Sequence, residues 1–467
     1  MDQGYLFNPE LIRRYDKAGP RYTSYPTAVQ FHQKFGAAQY VEHARLSNED
    51  PIPQPLSLYI HLPFCATVCF YCGCNKIITN NRKRAVPYLE RLHREIALHA
   101  ELYDSDRVVD QLHWGGGTPT FISLDQMQAL MSEIAKHFNL REDDKGEYSI
   151  ELDPREVTEE TLGVLRELGF NRISLGVQDL NEKVQRAVNR IQPMEKTEAA
   201  LDQARKEGFH SISMDLIYGL PRQTVESFSR TLNEVIRMSP DRVAIYNYAH
   251  MPSMFKVQRQ INEAELPSAS EKLEILRHAV DRMTEAGYVY IGMDHFAKPD
   301  DELTRAQQNG TLYRNFQGYS THSGCDLVAM GVSSISKVGF TYCQNHKDID
   351  SYFKSIDEGE LPVFRGIELS FDDVLRREVI TQLICNFVLD KSRIVDRYLK
   401  YMEVTFDDYF ADELEQLNIM QGDGLLKLND DSIEILPAGR LLIRNICAVF
   451  DVYNNESMKS PRFSRMV

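Results

Sequence analysis

From about residue 56 to residue 293, short runs of strand character alternate with amphipathic helical stretches. No other feature of the chain limits its fold so strongly. The first run is Leu56 to Leu62, where Leu56, Leu58, Ile60 and Leu62 alternate with Ser57, Tyr59 and His61, and Pro63 stops it. The same reading predicts strands at 108–114, 148–152, 172–177, 211–218, 242–248 and 288–293, and helices at 86–99, 124–138, 158–168, 225–238 and 270–286. Seven strands, each reached through a helix, imply parallel pairing and an α/β fold, either a barrel or a doubly wound sheet. Nearly every strand ends in a polar or glycine-rich segment, among them PFCATVCFYCGC, GGGTPT, DPRE, QDLN, GLP and AHMP. A barrel gathers functional groups at many strand ends, whereas a doubly wound sheet concentrates them at one switch point. The barrel is the expectation.

An irregular arm (1–55) precedes this region, and the barrel with a glycine-rich extension is expected over 56–365. After residue 366 long helical patterns and two short strands predict a C-terminal helical, winged-helix-like domain, 366–467. The formal charge of −15 argues against nucleic acid as a partner. No apolar run of the length needed to span a bilayer occurs, and the N-terminus MDQGYLFNPE has no basic region followed by an apolar core. A cytoplasmic protein is expected.

Four of the eight cysteines, Cys65, Cys69, Cys72 and Cys74, fall within ten residues; Cys325, Cys343, Cys385 and Cys447 are scattered and read as small core residues or bystanders. Cys65, Cys69 and Cys72 form C-x3-C-x2-C on a loop just past a strand end. A structural zinc site would supply four ligands, usually as two separated pairs, and no second pair follows. Three thiolates instead leave one iron of a [4Fe–4S] cluster open. Cys74, two residues past Cys72, is read as a neighbouring thiol rather than a ligand. Gly115-Gly116-Gly117-Thr118-Pro119 could be a phosphate-cradling loop or a tight turn, but no Lys-Ser/Thr pair follows, which removes the Walker reading. Glu151, Gln178, Arg190 and Asp215 lie at or just after strand ends and could together make a polar site. In the arm, Arg13, Arg14, Lys17 and Arg21 are offset only by Asp16, and Arg21 and Tyr22 carry donors suited to carboxylates.

The cysteine spacing, with Tyr71 before the third cysteine, resembles the radical S-adenosylmethionine (SAM) superfamily. Longer segments resemble one family within it, the oxygen-independent coproporphyrinogen III oxidases: GPRYTSYPTA (19–28), SLYIHLPFCATVCFYCGCNK (57–76), HWGGGTPT (113–120), IELDPRE (150–156), GFNRISLGVQD (169–179), MDLIYGLP (214–221), NYAHMP (247–252), GMDHFAKPDDEL (292–303), RNFQGY (314–319) and GRLLIRNIC (439–447). The resemblance implies an incomplete (β/α)6 barrel with an added strand. It implies oxidative decarboxylation of the ring A and B propionates of coproporphyrinogen III, giving protoporphyrinogen IX. The implied cofactors are a [4Fe–4S] cluster on Cys65, Cys69 and Cys72 and two SAM molecules. Tyr59, Gly116, Glu151 and Ile335 match the first SAM site; Tyr71, Gly117, Thr118, Gln178, Arg190, Asp215 and Ala249 match the second. Phe316 and Gln317, with Arg21 and Tyr22, are expected to meet substrate. A monomer is expected, served by an unidentified electron donor and acceptor. A haem-trafficking relative of the same fold is the nearest rival, disfavoured by the C-G-C-N segment (72–75) and the RYTSYP arm (21–26).

Overall fold

The computed structural model describes residues 7–15 and 17–453; residues 1–6, Asp16 and 454–467 lie outside the described residues. The frame is six strands: β1 (Leu56–Leu62), β2 (Val108–Gly116), β3 (Glu147–Leu152), β4 (Arg172–Gln178), β5 (Ser211–Tyr218) and β6 (Arg242–Asn247). They lie side by side in chain order, each parallel to the one before. Parallel neighbours need crossovers, and helices Val86–Ala100, Leu124–His137, Glu159–Glu167, Met194–Lys206 and Val225–Met238 provide them. The last shows why these stretches coil. Thr224 caps it by accepting from the Ser227 amide, and Phe228, Thr231, Leu232, Val235 and Met238 fall on one buried face. In β1 the expected apolar positions Leu56, Leu58, Ile60 and Leu62 are all buried, but so are Ser57 and His61, because a barrel strand is covered on both faces.

A further parallel strand, Asp326–Met330, pairs with the other edge of β1. This is the added strand of an incomplete (β/α)6 barrel, and antiparallel strands Ile335–Val338, Thr341–Asn345 and Val363–Glu368 extend the sheet beyond it. The run at 288–293 departs from expectation. Val289–Gly292 is not the neighbour of β6, because the chain reverses at Met293 and Asp294, both with positive φ. Strand His295–Ala297 takes the place beside β6, antiparallel to it. A connection this short can only make a hairpin. At the opposite end of the barrel, Arg172 and Arg242 close on Glu302 at 2.7 and 2.6 Å.

The arm is more ordered than its composition suggests. Helix Ala37–Leu46 buries Tyr40, whose hydroxyl meets His99 and Tyr103 at 3.0 and 2.7 Å. The C-terminal segment packs helices Phe371–Asn386 and Ala411–Gly422 with a three-stranded sheet of Val388–Asp390, Ser432–Ile435 and Leu426–Leu428. Only two of those strands were expected. One apolar core runs from Ile12 and Tyr25 in the arm, through the barrel, to Phe410 and Phe450.

Candidate active site

The C-terminal ends of the six strands share one mouth, and the cysteine loop lies across it. Past Pro63, the short strand Phe64–Cys65 pairs with Ile77–Ile78, which closes the base of the loop. Inside it the Cys72 amide donates to the Cys69 carbonyl at 3.2 Å, and the Lys76 ammonium donates to the carbonyls of Cys72 and Cys74 at 3.0 and 3.3 Å. All the cysteines are free thiols.

Each sulfur has a polar neighbour. The Thr118 hydroxyl donates to Cys65 Sγ at 3.5 Å. Arg190 Nη1 reaches Cys69 Sγ at 3.5 Å and Arg155 Nη2 reaches it at 3.9 Å. Both guanidinium groups also bind the buried Asp153 carboxylate, at 3.0 and 2.6 Å. Burial opposes the charge on Arg190, but Tyr71, Asp153 and Cys69 outweigh it and hold the group protonated. Burial likewise opposes the Asp153 carboxylate, and Arg190 and Arg155 keep it below the usual range. The Cys74 thiol donates to Cys72, which, with Lys76, brings Cys72 down to about 6 against the opposing effect of burial. Burial pushes Cys65 up to about 11.

These residues suit an anionic group held by thiolates. A single tetrahedral zinc would draw its sulfurs to within roughly 4 Å of one another. Among the described residues, the side chains whose ligand atoms gather within 4.8 Å are Asp110, His322 and Cys325, not these three cysteines. Thiolates bound to separate irons stand wider apart, which this loop permits.

The glycine run is dictated by close approach. Gly116 has φ +115°, and a Cβ there would lie 2.6 Å from the His61 ring; one on Gly117 would lie 2.7 Å from the Phe64 and Pro63 backbone. The Gly117 and Thr118 amides donate to Leu62 and Phe64 carbonyls, both at 2.8 Å, and the Gly116 amide donates to Glu151 Oε2 at 3.2 Å. Those N–H groups are therefore already used. A phosphate loop needs free N–H groups, so the phosphate-cradling alternative fails for this turn.

Below the mouth the barrel interior is polar. His113 bonds Ser149 at 2.6 Å and Glu151 at 3.4 Å, and its ring stacks on Tyr59. The Tyr59 hydroxyl meets His61 Nδ1, whose other nitrogen faces the Asn75 carbonyl, both at 3.1 Å. Burial would raise Glu151, but His113 and the Gly116 amide hold it below the ordinary value. Asp215 accepts from Ser174 at 2.9 Å, and burial, aided by repulsion from Glu151, lifts it to about 7. A cavity of about 160 Å³ is lined by Ser149, Glu151, Ser174, Asp215, Tyr246 and Gln317.

Residues 59–235 match the family model described as the radical SAM superfamily. The chain is 51% identical, over 99% of its length and 99% of the relative, to the oxygen-independent coproporphyrinogen III oxidase of Pseudomonas aeruginosa. It is 48% identical to the Escherichia coli enzyme of the same name, over 98% of each. The chain belongs to the oxygen-independent coproporphyrinogen III oxidases. The solved structure of coproporphyrinogen III oxidase from Escherichia coli, described as a radical SAM enzyme, superposes on this family member with a TM-score of 0.90 at 46% identity, covering 96% of this chain and 100% of that one.

Of the residues expected from sequence in this oxidase family, Tyr59, Glu151, Asp215 and Gln317 meet in or beside the barrel cavity, and Arg190 and Thr118 meet the cysteine sulfurs. Gln178 sits at the end of β4 with φ +68°. Tyr71 and Ala249 are joined by an unforeseen residue, Gln258, whose amide donates to both carbonyls at 3.0 and 3.2 Å. Ile335 and Phe316 do not line the cavity; both lie in a separate apolar group with Phe31 and Tyr342. The Tyr22 hydroxyl donates to Asp451 at 3.1 Å, and Arg21 Nη2 donates to the Asn247 carbonyl at the end of β6. Asp153, Arg155, His61, His113 and Asn75 were not singled out. DPRE held the first two in view, but nothing local tells which sulfur a guanidinium will meet.

Proposed function

We propose that this chain catalyses the oxygen-independent oxidative decarboxylation of the ring A and ring B propionates of coproporphyrinogen III, giving protoporphyrinogen IX. The observation that carries this reading is full-length identity of about half to enzymes of that name, joined to a three-thiol loop at the mouth of the barrel. Cys65, Cys69 and Cys72 would hold a [4Fe–4S] cluster, which would supply the electron for reductive cleavage of SAM to a 5′-deoxyadenosyl radical. The chain's own residues do the rest. Arg155 and Arg190 balance negative charge at Cys69, and Thr118 and Cys74 donate to Cys65 and Cys72. The backbone of the glycine turn would meet the SAM ammonium, with Tyr59 and Glu151 beside it and Ile335 reaching the site from the neighbouring apolar group.

A second SAM is taken to use Tyr71, Gly117, Thr118, Gln178, Arg190, Asp215 and Ala249. Burial lifts Asp215 to about 7, which favours its protonated form, able to donate as well as accept. Arg21 and Gln317 face the propionates, with Tyr22 and Phe316 behind them shaping the wall. The arm and the C-terminal helices cover the mouth, because a primary radical must be kept from water and bystander groups. Among the described residues no helix is long and apolar enough to cross a membrane. The reading adds a cytoplasmic monomer with an external electron donor and acceptor, engaging neither lipid nor nucleic acid. Anaerobic incubation of the cluster-loaded chain with SAM, a strong reductant and coproporphyrinogen III is expected to yield protoporphyrinogen and 5′-deoxyadenosine. Release of 5′-deoxyadenosine without vinyl product overturns the assignment.

A further inference from the structure

Outside the mouth, one cluster of ligand-type side chains has no part in the chemistry above. Asp110, His322 and Cys325 present a carboxylate oxygen, a ring nitrogen and a sulfur that all lie within 4.8 Å of one another. Asp110 is on β2 near its start, where the pairing with β1 slips: Leu56 pairs with Val109 and Ser57 with Gln111, so Asp110 is the extra residue of a bulge. Bulges re-aim side chains, and they recur beside functional sites. His322 and Cys325 come from the short link between strands Gly318–Ser320 and Asp326–Met330. The two partners thus reach Asp110 from more than two hundred residues away in sequence.

We infer that Asp110, His322 and Cys325 form a second metal site, which takes a borderline divalent cation such as zinc. One nitrogen, one sulfur and one oxygen donor match that ion's preferences, and three protein ligands leave a fourth position for water. Two of the three ligands are anionic when bound, so the thiol proton leaves to solvent and the dication is neutralised. Bound at about 2.0–2.3 Å from an ion, such ligands stand roughly 3.3–3.8 Å apart. The observed spread needs only side-chain rotation to reach that. His322 Nδ1 already stands 3.9 Å from Asp110 Oδ2.

The surroundings fit as well. Arg141 Nε donates to the other oxygen of Asp110 at 2.6 Å, which fixes the carboxylate plane and leaves Oδ2 for the ion. Cys325 stands in the wall of a cavity of about 1080 Å³, which gives an ion a path from solvent. Occupied, the site fastens the link 321–325 to β2. The hairpin Tyr313–Ser320, which brings Gln317 to the barrel cavity, is then held at its exit. This inference stands apart from the decarboxylation reading, since no reacting group lies in the site.

The test uses the full chain with its cysteine loop filled by anaerobic iron and sulfide reconstitution, then exposed to zinc and desalted. We expect about one zinc per chain by elemental analysis. X-ray absorption at the zinc edge should show one sulfur neighbour with nitrogen and oxygen completing the shell. Cys325→Ser and His322→Ala should each weaken zinc binding by more than about tenfold, the loss that even outer partners of a metal site can produce, with iron and sulfide contents unchanged. Zinc with no sulfur neighbour, zinc with several, or zinc held equally by both variants overturns the assignment. Should either variant fail to fold, the absorption spectrum of the unaltered chain decides alone.

Discussion

Replacing Asp215 by Asn isolates one carboxyl whose protonation the fold controls. Burial, with Glu151 adding repulsion, moves its pKa from 3.8 to about 7. An acid whose native value lies above its unfolded value costs the native state nothing below the unfolded value. The cost grows as pH rises between the two and is complete above the native one. Three units at about 1.36 kcal/mol each give about 4 kcal/mol. The side chain faces a cavity of about 160 Å³ that admits water, so screening reduces the expected figure to about 3 kcal/mol. Asn keeps the shape and a partner for Ser174 but cannot ionise. Guanidinium unfolding of the iron-free chain and of Asp215→Asn, under anaerobic conditions from about pH 4 to about pH 8, measures the difference. The variant should gain on the parent across that window by about 3 kcal/mol, mostly between pH 5 and pH 7. A difference that stays flat with pH refutes the argument that the barrel interior raises this group.

Ser in place of Cys65, Cys69 or Cys72 should each abolish iron and sulfide retention, whereas Cys74→Ser should still retain both, as elemental analysis will report. Arg190→Gln strips one of two cations from Asp153 and Cys69. It should cost about 3 kcal/mol in chemical unfolding, as losing one partner of a buried pair does, and speed iron loss; unchanged retention would count against the pairing. Gly116→Ala puts a methyl 2.6 Å from the His61 ring at a φ that side chains avoid, so thermal unfolding should show a loss of a few kcal/mol. Arg21→Ala should slow turnover with iron content intact, and unaltered kinetics would remove the arm from the substrate's surroundings.

Much of this arrangement could be read from residue order. Period-two runs ending in polar segments located β1 to β6, and C-x3-C-x2-C located the loop, because both signals are local. What escaped was decided by distant partners. The run at 288–293 has a strand's pattern, but periodicity is silent on which neighbour a strand takes, and the reversal at Met293 and Asp294 lacks glycine at either position. Arg155 reads as a solvated charge next to Asp153, yet its other contact is Cys69, 86 residues earlier. His61 and His113 fall on the inward face of strands and read as ordinary polar alternation. Their linkage to Asn75 and Glu151 exists only once the barrel curves. Helix Ala37–Leu46 was missed because its buried Tyr40 and Ala44 are too few to mark a stripe.

The clasp of Arg155 and Arg190 on Cys69 and Asp153 is made from protein atoms alone. The two guanidinium groups stand past the ends of neighbouring strands, so the counter-charge at Cys69 is supplied by the barrel rather than by the cysteine loop itself.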